Sequence, residues 1–295
     1  MITPPDNPPY VIAEIGCNHR GEMDTARKMI QVAATYAEAH AVKFQKRNAK
    51  ELLTPEEYNR PQPNQAFAYG PTYGAHREAL EFDVAQHREL KALCDELGIE
   101  YSTSVWDLTS ARECIALEPR WLKVPSACNL NRQLLSILAD EFSGQLHISL
   151  GMTTPAEQDQ IVEFLVSKNR ARDTVLYSCT SGYPVAFEDV CLLEISRLID
   201  KYRDTVGAIG FSGHHLGISV DVAAMVLGAQ YIERHFTLDR TWKGTDHAAS
   251  LEPDGIRRLV RDTRAVHAAL RYKASDILDV EQVQRDKLKS NQVKW

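Results

Sequence analysis

Two late runs, Ile209-Gly210-Phe211-Ser212-Gly213-His214-His215 and Gln230-Tyr231-Ile232-Glu233-Arg234-His235-Phe236, decide how the whole chain is read. Each starts apolar and β-like and turns polar at its C-terminal end. In a parallel α/β barrel that end of every strand faces the active site. His214 and His235 are then expected at matching ends of adjacent strands, placed to hold one divalent metal ion between them.

Upstream, strand-like and helix-like segments alternate with a period of about thirty residues, the signature of βα units. Six further strands are expected at Tyr10–Ile15, Ala41–Phe44, Glu100–Thr103, Trp121–Val124, Leu146–Ser149 and Thr174–Ser178, with the last two at Ala208–Phe211 and Gln230–Glu233. Thr154-Pro155-Ala156-Glu157 is a capping box with proline at the first helical position. Ile256, Leu259, Val260, Thr263, Val266 and Leu270 share one face of a final long helix. Eight such units in 295 residues predict a single-domain α/β fold, a (β/α)8 TIM barrel over 1–275, with a polar tail over 276–295. The tail carries Lys287, Lys289 and Lys294 and is expected beneath the barrel or at an oligomer contact. Residues 48–80, rich in Pro, Asn, Gly and Tyr, break the period and are expected to form a substrate-facing loop.

Composition narrows the function. Apolar residues make up 44 % and the formal charge is -6, which supports a sizeable core and argues against a nucleic-acid surface. Lys43, Lys46 and Arg47 leave room for a local basic pocket. No run is long enough to span a membrane and no secretory leader is legible. The six cysteines lack CxxC spacing and are expected as reduced core residues of a cytoplasmic protein.

The strand ends supply the chemistry. Strand one ends in Glu14-Ile15-Gly16-Cys17-Asn18-His19, placing a carboxylate at the barrel mouth. Strand two ends in Lys43-Phe44-Gln45. A lysine inside a barrel requires an anionic partner, either a protein carboxylate or a ligand phosphate. Strands three to six end in Ser102-Thr103-Ser104, Lys123-Val124-Pro125-Ser126, Ser149-Leu150-Gly151-Met152 and Cys179-Thr180-Ser181-Gly182-Tyr183-Pro184. Hydroxyls and two lysines around one mouth suit a phosphate and a carboxylate held together. Strands seven and eight bring Ser212, His214, Glu233 and His235, and Asp246 follows as a third ligand or a hydroxyl-binding carboxylate.

These motifs resemble the sialic acid synthases, the N-acetylneuraminate synthase family with its legionaminate and pseudaminate relatives. Ala13-Glu14-Ile15-Gly16-x-Asn18-His19, Val42-Lys43-Phe44-Gln45, Cys179-Thr180-Ser181-x-Tyr183-Pro184 and Ile232-Glu233-Arg234-His235-Phe236-Thr237 carry the likeness, which runs from about Tyr10 to Leu270. The resemblance implies a homodimeric TIM barrel that condenses phosphoenolpyruvate with an aldose, N-acetylmannosamine or a related sugar, to a 3-deoxy-2-ulosonic acid and phosphate. It implies a divalent ion, manganese before magnesium or cobalt, on His214 and His235. By the same resemblance Lys43, Gln45, Thr103, Lys123, Ser126, Ser149, Ser181 and Ser212 bind phosphoenolpyruvate. Tyr183, Asp246 and Glu233 fall on the sugar side, and Glu14, Lys43, Lys123, His214 and His235 carry catalysis. The family often has Asn at Ser181 and Asp at Gly213. Many members also carry a C-terminal antifreeze-like domain that reads the N-acyl group and is not legible before Trp295. A differently substituted aldose, or a separate chain supplying that domain, therefore stays open. Two other readings are a Schiff-base aldolase using Lys43 or Lys123 and a non-catalytic sugar-phosphate sensor.

Overall fold

The computed structural model describes residues 6–289. Eight parallel strands close into one barrel: β1 (Tyr10–Gly16), β2 (Ala41–Lys46), β3 (Glu100–Val105), β4 (Trp121–Val124), β5 (Gln145–Ser149), β6 (Thr174–Cys179), β7 (Ala208–Gly213) and β8 (Tyr231–His235). They pair in chain order and β8 returns to β1, so the sheet has no free edge. All eight expected strands are present. Most run one or two residues further than their apolar cores. β2 continues through Gln45 and Lys46 because both pair in register with Ser104 and Val105 of β3. Backbone pairing, not side-chain apolarity, ends a strand.

Alternation along each strand sorts the residues into two layers. Outward positions such as Val42, Phe44, Leu122, Ile148 and Ile232 are fully buried against the surrounding helices. Inward positions low in the barrel form an aromatic plug of Trp121, Tyr177 and Ile12, with Tyr10 and Tyr231 packed against it. His147 stacks on Trp121 with ring centroids 4.2 Å apart and pairs with the Tyr177 hydroxyl at 2.8 Å. The plug closes the bottom, so only the C-terminal end of the barrel is open.

The capping box at Thr154 forms and starts the helix Pro155–Ser167. The final barrel helix, Pro253–Ala269, buries Ile256, Leu259, Val260 and Thr263. Residues 48–80 hold more regular structure than their composition suggests: helices Ala49–Leu52, Pro55–Asn59 and Tyr73–Glu78 and a 3-10 turn, Gln65–Phe67. Asn48, Thr54, Asn64 and Thr72 each accept a backbone N–H at the start of one of them. Capping substitutes here for an apolar stripe.

Of the two places expected for the tail, the structure speaks to one. Its helix Asp279–Leu288 buries no residue and leaves Val280, Val283 and Leu288 exposed, so it does not pack beneath the barrel. Lys294 lies outside the described residues. The cysteines divide as well: Cys94, Cys114 and Cys128 are buried, Cys17 and Cys179 line the cavity at the barrel mouth, and Cys191 is exposed; all six are free thiols. Among the described residues no helix is long and apolar enough to cross a membrane.

Candidate active site

A cavity of about 630 Å³ opens at the C-terminal ends of the strands, within the size range of a small-molecule site. Every expected site residue except Thr103 lines it. Thr103 is the correction. It is fully buried, outside the cavity, and its hydroxyl reaches only the Ser104 carbonyl, at 3.4 Å. Strand alternation is the cause: Ser102 and Ser104 face inward, so Thr103 faces the helices. Ser104 takes its place in the cavity and accepts a hydrogen bond from Lys43 Nζ at 2.7 Å. The sequence alone does not separate the two hydroxyls, because the face is set by the register that puts Ser104 opposite Gln45 across β2 and β3.

At the base, four charged side chains form one buried array. Lys43 Nζ lies 2.5 Å from Glu14 Oε2 and 3.8 Å from Glu233 Oε2. Lys123 Nζ lies 2.6 Å from Glu233 Oε1, which also accepts from the Ser212 hydroxyl at 3.1 Å. None of the four is more than 5 % exposed. Protein carboxylates are within ion-pair distance of both lysines. Burial alone would raise Glu233, but Lys123 and then Lys43 overcome it and hold the carboxyl well below its usual range. Glu14 goes the other way. Burial, aided by the Glu233 charge and only partly offset by Lys43, raises it above the usual range. Two carboxyls a few ångströms apart therefore differ in proton affinity, the arrangement that separates an electrostatic role from a proton-transfer role. Burial also lowers Lys123.

Above this array stand the two histidines. His214 Nδ1 donates to the Thr180 carbonyl at 3.0 Å, which leaves the lone pair on Nε2. His235 Nδ1 is buried and has no hydrogen-bond partner, with Asp246 Oδ2 3.8 Å away. Burial, then the neighbouring His235, lowers His214 to about 3; burial also lowers His235. Both imidazoles are neutral at pH 7. Their ring centroids are 5.3 Å apart. Two imidazoles on one ion, with nitrogen to metal distances of about 2.1 Å, put their centroids roughly 5–6 Å apart. The pair fits a divalent ion. Among the described residues no group of three or more His, Cys, Asp or Glu side chains forms a complete donor set.

Two glycines keep the floor open. A Cβ on Gly151 would lie 2.5 Å from Ser126 Oγ and 2.7 Å from Ser181 Oγ. Gly16, at φ +53, would press one against Glu14 Oε1 at 3.2 Å. Tyr183 forms a side wall, its ring 4.3 Å from His214 and 5.6 Å from His235. The 48–80 segment faces the cavity as expected, through Gln62, Asn64, Tyr73, His76 and Arg77. Of the candidate basic pocket, Lys43 and Arg47 line the cavity, whereas Lys46 lies outside it and pairs with Glu113 at 3.1 Å. Arg77, Trp106, Cys17 and Cys179 also line it and were not singled out as site residues from sequence; loop path and strand alternation bring them in.

A closed parallel barrel with a buried charged array and two neutral imidazoles at its mouth defines a TIM-barrel enzyme. The description "NeuB family" matches residues 29–275. The human N-acetylneuraminate-9-phosphate synthase is 37 % identical over 282 residues, which cover 96 % of this chain and 77 % of the relative. The N,N'-diacetyllegionaminic acid synthase of Campylobacter jejuni is 32 % identical, covering 88 % and 77 %. Among solved structures, the N-acetylneuraminic acid synthetase of Leptospira borgpetersenii superposes with a TM-score of 0.79 at 29 % identity, over 98 % of this chain and 94 % of that one. The chain belongs to the NeuB family and is an enzyme of the sialic acid synthase type.

Proposed function

We propose that the chain condenses phosphoenolpyruvate with an aldose of the N-acetylmannosamine type, giving a 3-deoxy-2-ulosonic acid and inorganic phosphate. The observation that carries this is the pairing of Lys43 and Lys123 with Glu14 and Glu233 beneath a ring of hydroxyls. Each ammonium has three N–H donors, so Lys43 and Lys123 can add an incoming phosphate or carboxylate while keeping their protein carboxylates. Ser104, Ser126, Ser149, Ser181 and Ser212 supply further donors around the same anion.

Carbon 3 of phosphoenolpyruvate attacks the acceptor's aldehyde carbon. Water adds at carbon 2, and phosphate leaves by cleavage of the carbon–oxygen bond. Lys43 and Lys123 hold the enol phosphate in place and neutralise the leaving phosphate. Glu14, whose proton affinity is raised, takes the proton of the attacking water. Glu233 stays ionised and balances the charge that builds at carbon 2. His214 and His235 would hold a divalent ion, manganese by preference, which supplies Lewis-acid polarisation of the acceptor's carbonyl oxygen. Tyr183 and Asp246 flank that position and orient the sugar. Carboxylates beside both cavity lysines favour the charged ammonium over the neutral amine that a Schiff-base aldolase requires.

The test is phosphate release from phosphoenolpyruvate after metal stripping and manganese add-back, against a panel of aldoses and their phosphates. Sugar-dependent release restored by manganese supports the reading. Binding of phosphoenolpyruvate without release from any sugar refutes it in favour of a sensor.

A further inference from the structure

Asn18 belongs to the polar run that follows β1, and the condensation gives it no task. It is 2 % exposed and does not line the cavity, so it acts through other residues. Both donors of its carboxamide are committed. Nδ2 donates to the Phe236 carbonyl at 2.8 Å and to the Ser250 hydroxyl at 2.9 Å. That hydroxyl in turn donates to the Asp246 carbonyl at 2.7 Å. One side chain after β1 is therefore bonded to the residue that follows His235 and, through Ser250, to Asp246.

The surrounding backbone gives this link its meaning. The Phe236 N–H donates to the Glu14 carbonyl at 2.7 Å, and the Leu251 N–H donates to the His235 carbonyl at 2.8 Å. These bonds fix the two ends of the loop over residues 237–250. Asp246 lies within the loop, where the chain from Asn18 through Ser250 reaches it. A carboxylate carried on a loop gains its precision from buried side-chain bonds of this kind.

Asp246 Oδ2 lies 3.8 Å from His235 Nδ1, a buried nitrogen with no hydrogen-bond partner. An imidazole that binds a metal through one nitrogen commonly presents its other N–H to a carboxylate, which fixes tautomer and ring direction. With the proton on Nδ1 facing Asp246, the Nε2 lone pair of His235 is left for the ion. From this we infer that Asn18 is a positioning residue: it sets Asp246 against His235 and so holds that imidazole as a divalent ion requires. The inference rests on the metal part of the condensation reading.

The test reads manganese binding to metal-stripped protein from the free-ion signal in electron paramagnetic resonance, without turnover. N18A should weaken binding by about ten-fold or more, the usual cost of losing a group behind a metal ligand. S250A, which cuts the path to Asp246 and keeps the bond to Phe236, should do the same. D246A should weaken binding too, and N18A added to D246A should cost less than about two-fold more, because both act on one path. A merely structural Asn18 would instead lower affinity as much in D246A as in the parent, and that result overturns the inference. So does parent-like manganese binding in N18A or in D246A. If N18A does not fold, S250A in the parent and D246A backgrounds decides by the same criteria. A parent protein that takes up no manganese overturns the metal reading and this inference with it, whereas parent binding that N18A leaves unchanged overturns the inference alone.

Discussion

Asp221→Asn should destabilise the protein by breaking a fully buried ion pair outside the cavity. Asp221 lies on the helix Ser219–Val226 and is fully buried, as are Arg234 and His215. Its Oδ2 accepts from Arg234 Nη1 and lies 3.3 Å from His215 Nε2. Arg234 Nη1 also donates to the Gly217 carbonyl at 2.8 Å, and Nη2 donates to the His215 carbonyl. Breaking a buried pair by removing one charge costs about 3–5 kcal/mol. Arg234 keeps two carbonyl acceptors in the variant, which places the expected cost near the lower bound, about 3 kcal/mol. For a domain of this size each kcal/mol lowers Tm by roughly 2–4 °C, so a drop of about 6–12 °C is expected. Removing both charges together, D221L with R234M, should cost far less, within about 2 kcal/mol, because no unpaired ion remains. Thermal and urea unfolding of the two variants measure this directly. The same pair has a second consequence. His215 and Arg234 face outward immediately beside the inward-facing His214 and His235, so Asp221 ties together the two strand ends that set the imidazole spacing. The double variant should fold and bind manganese more weakly, as read from the free-ion signal in electron paramagnetic resonance. A D221N Tm within a degree or so of the parent would refute the charge argument, and parent-like manganese binding by the double variant would refute the positioning argument.

Three other changes probe the site. H214A or H235A should abolish manganese-restored turnover with little loss of fold, since neither imidazole belongs to a packed apolar cluster; full activity in either would remove the metal reading. S104A should weaken phosphoenolpyruvate handling by roughly ten-fold through loss of its bond to Lys43. T103V should change kcat/KM by less than about two-fold, because its hydroxyl faces away from the cavity; the reverse pattern would mean that β3 is set in the wrong register. Burial raises the Glu14 pKa, so the carboxyl becomes ionised only as pH climbs above the ordinary glutamate range. If it accepts a proton, kcat/KM rises with pH along an acid limb, and E14Q should remove that limb and cost about 10²-fold or more in rate. An unchanged limb in E14Q would assign the proton transfer elsewhere.

Much of this was legible in the chain. The period of βα units gave the closed barrel, because each strand is an apolar run that must be covered on both faces. The polar turn at the end of each run located the mouth, and matching ends on consecutive strands put His214 beside His235. Local composition placed residues 48–80 over the cavity but did not show their short helices, which capping side chains build without an apolar stripe, nor the helix of the tail, which buries no residue. Sequence could not choose between Thr103 and Ser104, since both are small hydroxyls one residue apart and only the inward or outward face distinguishes them. Nor could it say which carboxylate each lysine meets. Glu14 and Lys43 pair across adjacent strands, whereas Lys123 and Glu233 come from strands half a barrel apart and meet only because the ring closes. Local pattern determines which elements form and which way they face; charge pairing across the barrel depends on closure, which no local stretch encodes.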